Sequence, residues 1–180
     1  MKGKKVTFIA TAAKYEKVNF YVGTGKNALK KLGLIVDELD ISSASSDDIS
    51  SKIKNNDFIY VSGGNTFYLL QELKKSGADL LIAEEVNKGK IYIGESAGSI
   101  VNSPNIEYIK AMESDYKIAT ELTNYNALNL VDFYPVPHYS DFPFVEIAEE
   151  IVTNYGEKLN LMPISNEQVI LVNGDLVAVK

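Results

Sequence analysis

Residues 91–100 read Ile-Tyr-Ile-Gly-Glu-Ser-Ala-Gly-Ser-Ile: an apolar run that breaks into Gly94-Glu95-Ser96-Ala97-Gly98 and then opens a helix-forming stretch. The G-x-S-x-G spacing is that of a nucleophile elbow, a sharp strand-to-helix turn that lifts a serine hydroxyl clear of the backbone. Gly94 and Gly98 are expected to admit the turn because they lack a Cβ and take positive φ freely. Ser96 would then stand at the mouth of a sheet. The N–H of Ala97, at a helix N-terminus, would face the same spot, where developing negative charge is favoured.

The flanking segments repeat the alternation. Residues 5–10, 34–39, 57–62 and 90–93 read as strands, and the run at 57–62 is apolar on both faces, as buried parallel strands are. Residues 18–32, 47–53, 66–75 and 78–87 read as helices, the last closed by Gly89. Later come an apolar strand at 130–134, a helix near 143–155, and two short strands, 169–172 and 176–179, flanking Asn173-Gly174-Asp175 as a hairpin. Strands alternating with helices predict an α/β fold with a parallel sheet covered on both faces.

At 180 residues, 46% of them hydrophobic, the chain is expected to form one domain, residues 1–180, with a core of its own. No apolar run approaches the roughly eighteen residues that span a bilayer. The apolar stretch 6–13 reads more simply as a first buried strand than as a signal-peptide core. A cytoplasmic protein is therefore expected. The absence of cysteine excludes disulfides, thiolate nucleophiles and cysteine metal sites. A net charge of −6 argues against nucleic acid as a partner. All 18 basic residues are lysine. A carboxylate substrate therefore cannot meet the bidentate fork of a guanidinium here.

A serine hydroxyl needs a base, and His138 is the only histidine. It follows an apolar strand in Tyr134-Pro135-Val136-Pro137-His138-Tyr139-Ser140-Asp141, at a strand end where ligands of α/β sheets bind. A second glycine cluster, Ser62-Gly63-Gly64-Asn65-Thr66, also sits between a strand and a helix. It lacks the Gly-Lys-Ser/Thr ending of a phosphate loop. Its backbone N–H groups suit a second oxyanion donor opposite Ala97, while a tight turn capped by Asn65 is the plainer reading. For the third triad member two orders stay open. An α/β-hydrolase would place an acid between serine and histidine, such as Asp115 or Asp132. Otherwise the orienter follows the histidine, within Pro163-Ile164-Ser165-Asn166-Glu167-Gln168.

Three motifs in this order, Val61–Phe67, Tyr92–Gly98 and Val131–His138, make the chain resemble the peptidase E family of aspartyl dipeptidases, with cyanophycinases as relatives. The resemblance runs from about residue 5 to residue 179. It implies a three-layer α/β/α sandwich around a mostly parallel sheet, like class I glutamine amidotransferases with serine in place of the elbow cysteine. It further implies hydrolysis of dipeptides with an N-terminal aspartate, with no metal or cofactor. Ser96 matches the nucleophile, His138 the base, and Gly64 and Ala97 the oxyanion positions, with Asn65 lining the pocket beside them. The family's third residue, a glutamate, falls on Asn166, with Glu167 one step on. An asparagine orients an imidazole but brings no charge to an imidazolium. The family's aspartate-reading arginine has no counterpart, and Lys110 or Lys117 would substitute only as a point charge. The expected partner is a small peptide substrate, with no nucleic acid or membrane, and a homodimer is a reasonable expectation for an exopeptidase of this size. A non-catalytic binding protein on the same fold and an esterase-type hydrolase are the competing readings.

Overall fold

A computed structural model of the protein describes residues 2–113 and 116–180. Four parallel strands, β1 (Lys5–Ile9), β2 (Ile35–Leu39), β3 (Phe58–Val61) and β4 (Ile91–Gly94), form a sheet of order β2-β1-β3-β4. Because side chains alternate along a strand, β1 and β3 each feed two cores. Val6, Phe8, Phe58 and Tyr60 point to one face, where they pack with Leu29 and Val22 of α1 (Phe20–Lys31). The Phe8 and Tyr60 rings stack there at 4.9 Å. Ile9, Ile59 and Val61 point to the other face. They meet α2 (Ser46–Asn55), α3 (Thr66–Ser76), α4 (Ala78–Asn87) and the short α5 (Ala97–Ile100). The result is the layered α/β arrangement with a mostly parallel sheet that the alternation predicts. Burial on both faces explains why β3 is apolar at every position.

Local signals set several helix ends. Ser45 caps α2 by accepting the N–H of Asp48, and Asn65 caps α3 by accepting the N–H of Tyr68 at 2.9 Å. Gly77, at φ 73°, ends α3 and begins α4 without a linker.

The second half departs from expectation. The strand expected at 130–134 lies instead at β5 (Tyr134–Val136), pairing in parallel with β6 (Leu161–Pro163). Leu130 and Val131 donate their N–H groups to the Asn102 carbonyl, which draws that stretch out of any ladder. Pro135 is tolerated within β5 because the strand pairs on one side only among the described residues. Strand β6 is three residues long and ends in proline, too brief to carry a periodic signal. α6 (Val145–Tyr155) begins two residues later than expected and buries Ala148 and Ile151. The hairpin is present as β7 (Ile170–Asn173) and β8 (Leu176–Val179), but Asn173 pairs with Leu176, so Gly174 (φ 56°) and Asp175 make the turn. Among the described residues, no helix is long and apolar enough to cross a membrane.

Candidate active site

The elbow lies between the end of β4 and the start of α5. Ser96 has φ 47° and ψ −109°, a region that residues with a Cβ seldom enter, and such strain concentrates at functional positions. Neither Gly94 nor Gly98 has a positive φ, which corrects the expectation drawn from their flexibility. They are needed for close approach. A Cβ on Gly94 would strike the Gly98 carbonyl, and one on Gly98 would strike the Val61 carbonyl of β3. The turn is tied down by Gly98 N–H to the Glu95 carbonyl (2.9 Å) and by Tyr92 Oη donating to the Gly98 carbonyl (2.6 Å).

Directly after β3, the Gly63-Gly64 turn packs against the elbow. A Cβ on Gly63 would sit 3.3 Å from Ser96 Cβ. Gly64 takes φ 133° and rests on the Ala12 backbone, where a side chain would collide, while the Asn65 N–H donates to the Ala12 carbonyl at 2.9 Å. Among the described residues, the N–H groups of Gly64 and Ala97 have no hydrogen-bond acceptor. That of Ala97 is free because a first-turn N–H has no partner within its helix. The segments flanking Ser96 therefore hold two available donors. Asn65, expected to line the pocket, is buried, and its Oδ1 is engaged in capping α3.

The parallel pairing of β5 and β6 brings the other two groups together. The ladder continues past both strand ends through Ile164 N–H to the Val136 carbonyl and Tyr139 N–H to the Ile164 carbonyl, each 3.0 Å. His138 and Asn166 thus leave neighbouring strands side by side. Ser96 Oγ lies 2.9 Å from His138 Nε2, and His138 Nδ1 lies 2.6 Å from Asn166 Oδ1. With the Asn166 oxygen as acceptor, Nδ1 carries the hydrogen and Nε2 accepts from the serine hydroxyl. His138 adopts φ 62°, and the Phe144 ring stacks on the imidazole at 4.8 Å. Glu167 is exposed and has no hydrogen bond or ion pair among the described residues, so Asn166 is the neighbour that meets the histidine. Asp132 is exposed and precedes β5, at the opposite end of the strand from His138. Asp115 lies outside the described residues.

One wall of the site is acidic, which the sequence did not reveal. The Tyr21 ring passes 3.7 Å from where a Cβ on Gly63 would stand. Burial, and then the negative charges of Glu16, Glu95 and Glu113, push the Tyr21 hydroxyl up to about 12. Glu95, next to Ser96, accepts from Tyr60 Oη at 2.9 Å. Glu113 accepts the Thr66 N–H at 2.9 Å, and burial raises its carboxyl to about 7 against the lowering pull of Thr66 and with a smaller push from Glu16. No spacing rule links positions 21 and 113 to 96, and only tertiary packing gathers them.

Lys110 and Lys117 are the two candidates for the missing arginine. Lys110 pairs with Glu107 at 2.7 Å and sits 4.1 Å over the Tyr125 ring. It borders a hollow of about 390 Å³ lined by Tyr108, Tyr134 and Tyr155, with neither Ser96 nor His138 in its wall. None of the described hydrogen bonds or ion pairs connects the exposed Lys117 to the elbow. Among the described residues, no three His, Asp or Glu side chains gather as metal ligands.

Comparison with known proteins gives the chain's family. Residues 1–180 match the model of peptidase family S51. The chain is 57% identical over 180 residues to Lmo0363, an uncharacterized peptidase of Listeria monocytogenes, covering all of this chain and 87% of that protein. It is 38% identical over 140 residues to a peptidase E of Shewanella baltica, covering 77% of this chain and 55% of that one. A crystal structure of a candidate peptidase E protein from Listeria monocytogenes superposes with a TM-score of 0.95 at 56% identity, covering 99% of this chain and 86% of that one. A peptidase from an acI-B1 actinobacterium, 22% identical, shares the fold at a TM-score of 0.70 over 93% of this chain and 70% of that one.

Proposed function

The chain belongs to peptidase family S51, and on that premise we propose that it is a serine exopeptidase hydrolysing dipeptides or small peptides with a free N-terminus. The carrying observation is the continuous hydrogen-bonded series Ser96–His138–Asn166. It has the nucleophile, base and orienter of a triad, with an amide in place of the acid.

In this reading Ser96 Oγ attacks the scissile carbonyl as His138 Nε2 takes its proton. The N–H groups of Gly64 and Ala97 receive the oxyanion, whose charge is stabilised by donors already in place. The imidazolium then returns the proton to the departing amine. A water molecule, deprotonated by His138, attacks the acyl-serine and frees Ser96. Asn166 holds the ring in the tautomer that leaves Nε2 available.

Substrate choice follows from charge. The negative charges of Glu16 and Glu95, felt at Tyr21 in a chain without arginine, disfavour an aspartyl side chain and favour a peptide's α-ammonium. The preferred first residue is therefore neutral or basic rather than aspartate. Turnover of a panel of Xaa-Yaa dipeptides tests both parts. Ser96→Ala and His138→Ala should each abolish hydrolysis, and a fluorophosphonate should label the native enzyme and spare Ser96→Ala. Near-native turnover by Ser96→Ala would sink the mechanism, and a preference for Asp-Yaa would sink the specificity.

A further inference from the structure

A triad that ends in asparagine leaves the imidazolium without an adjacent negative charge. The loop carrying Asn166 is held by one. Asp141 Oδ2 accepts the backbone N–H of Asn166 at 2.6 Å. The Asp141 N–H in turn donates to the His138 carbonyl at 3.0 Å, and the Asp141 carbonyl accepts from Phe144, whose ring stacks on the imidazole. These bonds close a ring: His138 side chain to Asn166 side chain, Asn166 backbone to Asp141 side chain, Asp141 backbone to His138 backbone. Asp141 is half-buried, and among the described residues no lysine forms an ion pair with it. Its charge is not neutralised locally and is directed at the peptide that carries the orienter.

We propose that Asp141 is the positioning residue of this site: it fixes the Asn166 loop against the His138 turn and supplies, one residue removed, the negative charge that the triad's amide lacks. The inference rests on the reading of Ser96, His138 and Asn166 as the reacting series.

Asp141→Asn separates charge from shape, since its amide oxygen still accepts the Asn166 N–H. The expected result is a fall in kcat of about tenfold with KM within about twofold, the pattern of an interaction felt in the transition state. A second readout is independent of turnover. As the only histidine, His138 gives a single Cε1–H resonance in proton NMR. Its titration midpoint in Asp141→Asn should move to lower pH, because a nearby opposite charge favours the protonated ring. Glu95 on the elbow and Glu167 beside Asn166, the other carboxylates next in sequence to its partners, are unchanged in the variant. In an Asn166→Asp background, where the charge sits directly on Nδ1, adding Asp141→Asn should cost less than about twofold.

An unshifted resonance in Asp141→Asn would overturn the proposal, as would equal losses in the two backgrounds. Loss of all Ser96-dependent hydrolysis in the native enzyme would overturn the functional reading instead, and the NMR titration would still decide the role of Asp141. The isosteric change is expected to fold, and an unaltered thermal melt checks it. Should the variant fail to fold, Asp141→Glu, which retains the charge, must show the native midpoint for the proposal to stand.

Discussion

Asn166 gives the sharpest quantitative test of the site. Asn166→Ala removes the 2.6 Å acceptor from a ring that, in the proposed mechanism, becomes an imidazolium as Ser96 attacks. A hydrogen bond to a charged group contributes about 1.5–3 kcal/mol, and about 1.36 kcal/mol is tenfold in rate, so kcat should fall about 10- to 150-fold. That is less than the ~10⁴-fold loss seen when an acid orienter is neutralised, because no charge is lost here. Asn166→Asp should act in the opposite direction. A unit pair at about 4 Å gains ~4 kcal/mol at an effective dielectric near 20 but only ~1 kcal/mol in bulk water. Asn166 is exposed, so the lower figure applies and kcat should rise about fivefold. The added carboxylate should also move the acidic fall in kcat/KM to higher pH. The assay is steady-state hydrolysis of the best dipeptide from the panel, with kcat and KM resolved across pH. Asn166→Ala within about twofold of native, alongside a loss in Glu167→Gln approaching the ~10⁴-fold that neutralising an acid orienter costs, would refute the assignment and name Glu167 the orienter.

Two further outcomes follow from the structure. Burial raises the folded-state pKa of Glu113 from 4.5 to about 7. Between those values the unfolded chain ionises while the folded one holds its proton, so this group costs stability as pH rises through that window and no more above it. The full effect is about 3 kcal/mol at most, and Glu113→Gln should flatten the pH dependence of the thermal midpoint between about pH 4.5 and 7; an unchanged slope would show that the carboxyl ionises freely. Gly98→Ala drives a Cβ into the Val61 carbonyl, so β3 and the elbow must separate. Urea titration should show a loss of about 1–3 kcal/mol, with activity falling further than stability accounts for; a variant of native kcat would mean that the elbow tolerates the shift.

How much was legible beforehand differs between the two halves of the chain. In the first, each strand or helix carries its own signal: the continuous burial of Phe58–Val61, the caps Ser45 and Asn65, the break at Gly77. These are local free energies, and they show in a few consecutive residues. In the second, β5 contains a proline and β6 is three residues long. Their identity as strands comes from each other, through pairing between residues 134–136 and 161–163. No window of sequence contains both.

The site divides along the same line. From the sequence alone come Ser96, because close approach of strand and helix demands small residues at fixed spacing around it, and His138, because the chain offers no other imidazole. The Gly63-Gly64 turn was legible for the same steric reason. Tertiary structure decided the rest. Whether Asn166 or Glu167 meets His138 depends on which side of a four-residue turn faces the neighbouring strand, a matter of register that two adjacent polar residues do not encode. It moved the strain of the elbow from the glycines onto Ser96 itself, which only the crossing of β3 and α5 determines. And it gathered Glu16, Glu95 and Glu113 around Tyr21. Electrostatic interactions depend on distance through space, and the distance between these residues exists only after the sheet and its helices have packed.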